Sequence, residues 1–530
     1  MRRRQFLESF LASTVAVGTQ PLMASPYASG QAAPTEDAGL PPAKETGLVR
    51  EFFYRPLGAY AGDFIPYYRD GRFHLFFLLD WRDKPAHGEG TPWYQVSTTD
   101  FLHFVEHGEM IPRGKRDEQD LYVFTGSAIY AEGKHHIYYV GENPYFKEQG
   151  KPEQAIMHAV SDDILNWKKI PEDTFYSTGP YERNDWRDPF VFWNPEANEY
   201  WMILAARVKT GPSRRRGCSA LCTSKDLKKW EVKDPFWAPS LYFTHECPDL
   251  FKIGDWWYLI FSEFSDLIRT RYRMSRTLDG PWLTPKRDYF DGRSYYAAKS
   301  ASDGLRRFLF GWEPTRSGNQ DYGRWDWGGN LVVHELHQES DGSLSVGVPP
   351  TVDAAWAKPF AAEFSLKLGQ VRVDGDEVEL TAPDSFACVA AGMMPDRCKI
   401  EAQAIFEADT RRFGIMLRTG DDLSSCYYIR FEPQNQRLVV DSWPRETQQQ
   451  IEEDVPLKGC GYIAGLDNWI PLQSGTPLDI KVFVDRSTAV VYFAGKCAMT
   501  FRMYDLPIGR WGFFVEDGAA KFRNIKISGI

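Results

Sequence analysis

Two short acidic signatures carry the chemistry open to this sequence. Arg187-Asp188-Pro189 heads an apolar run ending at Trp193, and Glu246-Cys247-Pro248-Asp249 heads another through Phe251. A carboxylate at the mouth of an apolar strand is costly to bury unless it is paired or used. One such motif reads as a strand-end salt bridge. Two in matching context, with Asp63 ahead of a third aromatic run, make an inventory of carboxyl groups suited to acid–base work. Displacement at a glycosidic carbon needs two of them, one ionised to attack or steady the carbon and one to protonate the leaving oxygen. The third is then free to bind the sugar.

Such groups need a scaffold that gathers separate strand ends. Between Phe52 and about Val348 one unit recurs: a strand, a turn, a more aromatic strand, and a polar turn closed by an aromatic residue. The first strands are Gly62 to Tyr68, Gly126 to Tyr130, Arg187 to Trp193, Pro248 to Ile253 and Tyr296 to Ser300. The second strands are Arg72 to Leu79, His135 to Val140, Glu199 to Ala206, Trp256 to Ser262 and Arg306 to Trp312. The closing aromatics Phe104, Trp167 and Trp230 stand 63 residues apart each time. A β unit repeated five times without helical periodicity predicts a five-bladed β-propeller over 50–350, with the first strand of each blade on the central channel. Asp63, Asp188 and the Glu246/Asp249 pair would then reach one axial pocket from three blades.

Past Pro349 the texture changes. A Pro/Ala-rich stretch to Ala362 reads as a linker, and the alternating short strands of 363–530 predict a β-sandwich packed on the propeller. The fold class is therefore all-β.

Composition narrows the partners. The aromatic fraction of 15% suits an all-β protein and a carbohydrate ligand, although most rings will fill cores. A formal net charge of -10, with no basic stripe interleaved with aromatics, argues against nucleic acid. Arg2-Arg3-Arg4, the mildly apolar Phe10 to Gly18 and the small residues up to Pro34 read as a twin-arginine export signal over 1–34. Its removal would leave no membrane anchor and place the protein in the periplasm or outside the cell. Eight cysteines are too sparse for a disulfide scaffold, and Cys218 and Cys222 lack partners at zinc spacing, so neither metal nor cofactor is expected. Oligomeric state is not encoded in any of these features.

Four motifs in order, Phe124-Thr125-Gly126-Ser127, Arg187-Asp188-Pro189, Glu246-Cys247-Pro248-Asp249, and Tyr295 to Ser300 followed by Gly311-Trp312, resemble those of glycoside hydrolase family 32, the β-fructofuranosidases. The resemblance implies cleavage of sucrose, fructo-oligosaccharide or fructan by a retaining double displacement. It implies that Asp63 is the nucleophile, Asp188 a transition-state stabiliser, and Glu246 the general acid/base. Arg187, Asp249, Ser127, Trp81 and Trp312 are the substrate-binding candidates, and Lys299 is expected to be structural. The chain departs from the family around the nucleophile. Tyr60 to Pro66 keeps the Asp of the Trp-Met-Asn-Asp-Pro-Asn-Gly signature and little else, and Leu78-Leu79-Asp80-Trp81 stands where the family has a stretch ending Gln-Tyr-Asn-Pro.

Those departures keep rivals open. Related propeller enzymes act on other furanosides or on xylosides, usually with inversion. A transferase, or a carbohydrate-binding propeller that has lost catalysis, would carry the same motifs.

Overall fold

A computed structural model describes residues 46–444 and 466–530; the basic leader, residues 1–34, and Cys460 lie outside the described residues. Five antiparallel blades follow one another from Tyr60 to Gly347. Their inner strands are Tyr60–Arg69, Tyr122–Ala131, Arg187–Asn194, Glu246–Ile253 and Tyr296–Ser302. Each pairs with a buried second strand: Arg72–Asp80, Lys134–Glu142, Glu199–Arg207, Trp256–Glu263 and Arg307–Arg316. These are the strands expected from the repeat, with ends that differ by up to four residues.

The 63-residue period has a local cause. In the turns after the third strands of blades 1 to 3, Asp100, Asp163 and Asp226 accept backbone N–H groups from residues two and three further on, at 2.7–3.0 Å. Thr98, Ser161 and Ser224 each donate a hydroxyl hydrogen bond to that carboxylate. The residue after each Asp takes a left-handed φ (Phe101 63°, Ile164 68°, Leu227 59°) and drives its apolar side chain into the core. The Asp side chain thus replaces the backbone partners that the sharp turn removes.

The ring closes where blade 5 meets blade 1. The third strand of blade 5, Trp325–Gln338, pairs through Gly329 with Ala61 on the inner strand of blade 1. At the outer rim of blade 1, Thr46–Arg50 covers His103–Ile111, which removes an open strand edge.

The second unit is a β-sandwich whose sheets are tied by two long strands, Glu377–Met393 and Arg510–Gly529. Asp517-Gly518 looks like a turn in sequence, yet the chain bends there, with Asp517 at φ 48°, and continues into the other sheet. The stretch from Pro349 to Ala362 is an ordered connector. It holds a short helix, Pro350–Ala355, the buried Trp356, and a strand, Lys358–Phe360, that pairs with the end of Arg510–Gly529.

Propeller and sandwich share one interface core, in which Tyr272, Phe290 and Trp356 pack with Phe483, Val490 and Tyr492. Buried polar groups cross it. Asp291 of the propeller accepts from Thr500 N at 2.7 Å and Thr500 Oγ1 at 2.5 Å and faces His334 Nε2 at 3.1 Å. Arg502 of the sandwich donates to Pro314 O, Glu313 O and Asn330 Oδ1, and Thr488 Oγ1 donates to Glu313 Oε2 at 2.7 Å. Cys218, Cys222, Cys247, Cys388, Cys398, Cys426 and Cys497 are buried free thiols. Among the described residues no helix is long and apolar enough to cross a membrane.

Candidate active site

All five inner strands break their pairing register at the same level. The breaks fall at Gly62/Ile65, Phe124/Gly126, Arg187/Phe190, Glu246/Asp249 and Tyr296/Lys299. A bulge adds one residue to a strand, turns its side chain out of the alternation and sharpens the local twist. Here the breaks fall at or beside Asp63, Thr125, Asp188 and Glu246. Asp63 (φ 49°), Asp188 (φ 58°), Cys247 (φ 50°) and Ala297 (φ 52°) all adopt left-handed backbone, a conformation that costs a non-glycine residue about 1 kcal/mol or more and persists only where the surroundings fix it.

Asp63 is buried and held from two sides. Trp312 Nε1 donates to its Oδ1 at 3.1 Å, and Thr125 Oγ1 donates to Oδ2 at 2.5 Å. Trp312 comes from blade 5 and Thr125 from blade 2, so the nucleophile candidate of blade 1 is fixed by its neighbours on either side. Glu246 is held in the same manner. Arg187 Nη2 donates to Oε1 at 3.1 Å and the Tyr296 hydroxyl donates to Oε2 at 2.6 Å.

Arg187 is fully buried and surrounded by acid. Besides Glu246 it bonds Asp185 Oδ1 at 2.6 Å and Thr244 Oγ1 at 3.1 Å, and its Nε lies 3.7 Å from Asp188 Oδ2. Burial alone would weaken its hold on its proton; the charges of Asp185, Glu246 and Asp188 outweigh that and keep it firmly cationic. Arg187, a substrate-binding candidate from the sequence, directs three hydrogen bonds to Glu246, Asp185 and Thr244.

Asp188 accepts the Cys247 N–H at 3.0 Å with Oδ2, while its buried Oδ1 has no hydrogen-bond partner among the described residues. An orphaned buried acceptor at this depth is the natural seat for a ligand hydroxyl. The thiol of Cys247 reports how closely the acids gather. Burial, then the charges of Asp188, Asp63 and Glu246, push it well above the ordinary cysteine range.

The remaining candidates divide. Asp249 turns to blade 5, where its Oδ2 accepts from Ser300 N at 2.6 Å and Ser300 Oγ at 2.5 Å. Ser127 Oγ accepts the Val191 N–H at 3.1 Å, tying blade 2 to blade 3. Lys299 is buried and donates to Pro248 O at 3.0 Å. Trp81 sits at the end of the second strand of blade 1, stacked on His87 with ring centroids 4.9 Å apart. Trp312 acts through its indole N–H on Asp63. Read around the axis, Trp312 and Thr125 on Asp63, Val191 on Ser127, Cys247 on Asp188 and Ser300 on Asp249 bind every blade to the next.

Sequence reasoning gave no role to Thr125, Tyr296 or Cys247, although all three lie inside the motifs that it singled out. It passed over Arg82 and Trp327 altogether. Among the described residues no group of three or more His, Cys, Asp or Glu side chains could hold a metal ion.

Comparison with known proteins identifies the family and the fold. The profile for the glycosyl hydrolases family 32 N-terminal domain matches residues 65–344, and that for the family 32 C-terminal domain matches residues 370–529. A levanbiose-producing levanase of Bacillus subtilis (strain 168) is 22% identical over 512 residues, 87% of each chain. A sucrose-6-phosphate hydrolase of Vibrio alginolyticus is 27% identical over 343 residues, 59% of this chain and 67% of that one. The fold is shared with the crystal structure of fructan 1-exohydrolase IIa from Cichorium intybus, at TM-score 0.68 and 15% identity, covering 90% of this chain and 96% of that chain.

Proposed function

This chain belongs to glycosyl hydrolase family 32, and from that premise we propose that it cleaves β-fructofuranosidic bonds of sucrose, fructo-oligosaccharides or fructans with retention at the anomeric carbon. The observation that carries the reading is the paired holding of two carboxylates, Asp63 by Trp312 and Thr125, and Glu246 by Arg187 and Tyr296.

Asp63 attacks the anomeric carbon of the fructosyl unit while Glu246 gives its proton to the departing glycosidic oxygen. Glu246, now ionised, takes a proton from water, and the water oxygen displaces Asp63 from the same carbon. The fixed donors on Asp63 keep it from rotating away from the axis. Tyr296 and Arg187 receive the negative charge that Glu246 acquires when its proton leaves. Asp188 Oδ1 accepts a sugar hydroxyl, a bond that strengthens as oxocarbenium charge develops. Names of the relatives point the same way: levanase, sucrose-6-phosphate hydrolase and fructan exohydrolase.

A second reading, another furanoside, is favoured by the surroundings of Asp63. Gly62 replaces a side chain there, and the Trp327 indole lies against it. The basic leader supports export through the twin-arginine route, and replacing Arg2, Arg3 and Arg4 by Lys while following the cellular fraction tests it.

The deciding experiment incubates the mature protein with sucrose, inulin, levan, fructo-oligosaccharides, arabinofuranosides and xylosides, with Glu246→Gln as blank. Free fructose that disappears with the blank supports the fructosidase. Activity confined to another glycoside favours the second reading, and silence throughout removes both.

A further inference from the structure

The seam where blade 5 closes onto blade 1 is paired at Ala61, two residues before Asp63. A Cβ on Gly62 would stand 2.6 Å from Trp327 Cζ2 and 2.9 Å from its Cη2, so only glycine admits the indole against this strand. The same indole lies 5.7 Å, centroid to centroid, from Trp312, whose N–H holds Asp63. Trp327 is half-buried. With Trp312 it forms an aromatic corner beside the nucleophile.

What holds Trp327 there is Arg82, 245 residues away in sequence. Arg82 Nη2 donates to Trp327 O at 2.6 Å and to Gly328 O at 3.2 Å. Its Nη1 lies 3.6 Å from Asp326 Oδ2, and the guanidinium stacks 3.4 Å above the ring of Tyr60. Arg82 is itself set by a left-handed φ of 56° and by its N–H on Asp80 Oδ1 at 2.8 Å. Gly328, at φ 77°, and Gly329 allow the two blades to approach. Backbone acceptors, a carboxylate and an aromatic face thus converge on one planar cation, a geometry that a lysine reproduces only in part.

We infer that Arg82 is a positioning residue for substrate binding: by clamping the start of the last long strand of blade 5 to blade 1, it presents Trp327 as the apolar wall on which the reacting sugar ring rests beside Asp63. The inference rests on the fructosidase reading for the identity of that sugar. A flat apolar contact holds the ring in the ground state and the transition state alike, so its loss appears in KM and in product inhibition more than in kcat.

The test compares wild type, Arg82→Gln, Arg82→Lys and Gly62→Ala on one fructo-oligosaccharide, reading KM, kcat and the inhibition constant of free fructose. Gly62→Ala displaces Trp327 while leaving Arg82 intact. Arg82→Gln and Gly62→Ala are each expected to raise KM and the fructose inhibition constant about fivefold or more, with kcat within about threefold of wild type, and Arg82→Lys to fall between. Should Arg82→Gln not fold, Arg82→Lys and Gly62→Ala carry the same comparison. Folded variants that keep both constants within about twofold, or that lose kcat instead, overturn the inference. Wild-type turnover is the separate control. Its absence on every fructoside removes the fructosidase reading, and the same constants then test the clamp on whichever glycoside is cleaved.

Discussion

The hydroxyl of Tyr296 donates to Glu246 Oε2 at 2.6 Å. Arg187 occupies the other oxygen, so the carboxyl proposed as the acid/base is fixed in orientation by partners from blades 3 and 5. Tyrosine→phenylalanine at 296 removes one donor to a charged group and little volume. The expected result is a fall in kcat of about 10- to 100-fold with KM changed far less, measured by steady-state kinetics beside a circular dichroism spectrum like that of wild type.

Asp63 has two donors on different blades, and their contributions should not add. Trp312→Phe and Thr125→Val are each expected to lower kcat by about tenfold or more, because a bond to an ionised group is worth about 1.5–3 kcal/mol. In the double variant the loss should differ from the sum by at least about 0.5 kcal/mol, since both donors serve one carboxylate. A double-mutant cycle on kcat/KM measures this, and strict additivity would show that the two donors act independently.

Asp249 faces Ser300 on the neighbouring blade and predicts a different phenotype. Asp249→Ala strands the buried Ser300 N–H, at a cost of about 1–3 kcal/mol. Thermal unfolding should shift downward, while kcat/KM of the folded fraction stays near wild type. A large kinetic loss with unchanged stability would return Asp249 to the substrate.

The interface between propeller and sandwich makes the stability pH-dependent. Burial pushes Glu313 up to about 8, against the opposing pull of Arg502 and Thr488. In the unfolded chain a glutamate ionises near 4.3. Between those values the folded state keeps a proton that the unfolded state has lost, so stability falls as pH rises through the window and levels off above it. Glu313→Gln should remove this component. Unfolding midpoints of wild type and variant are expected to diverge from about pH 5 to pH 8 in favour of the variant; parallel curves would count against it.

Much of this was legible from residue order alone. The alternation of strands and the 63-residue turn are local signals, and both survive in the structure because hydrogen bonds within one blade produce them; the acids at strand mouths are visible as residue types, but their holding bonds come from neighbouring blades. The sites of departure are those set by distant partners. Asp185 and Asp188 stand beside Arg187 in the sequence, but its bond to Glu246 spans 59 residues. Arg82 and Trp327 carry no motif, since their relation exists only once the ring is closed. At Asp517-Gly518 local preference yields to pairing for a different reason. The dipeptide has turn chemistry, but cross-strand pairing on both sides extends the strand through it.

The shared core between the two units has one more implication. Asp291, Glu313 and Arg502 complete their bonding only across the contact, so neither half is a transferable module. Chain ends created near Trp356 would leave buried charge facing water on one piece and an unmatched guanidinium on the other. Exchange of this domain with that of another protein therefore demands that both faces be grafted together.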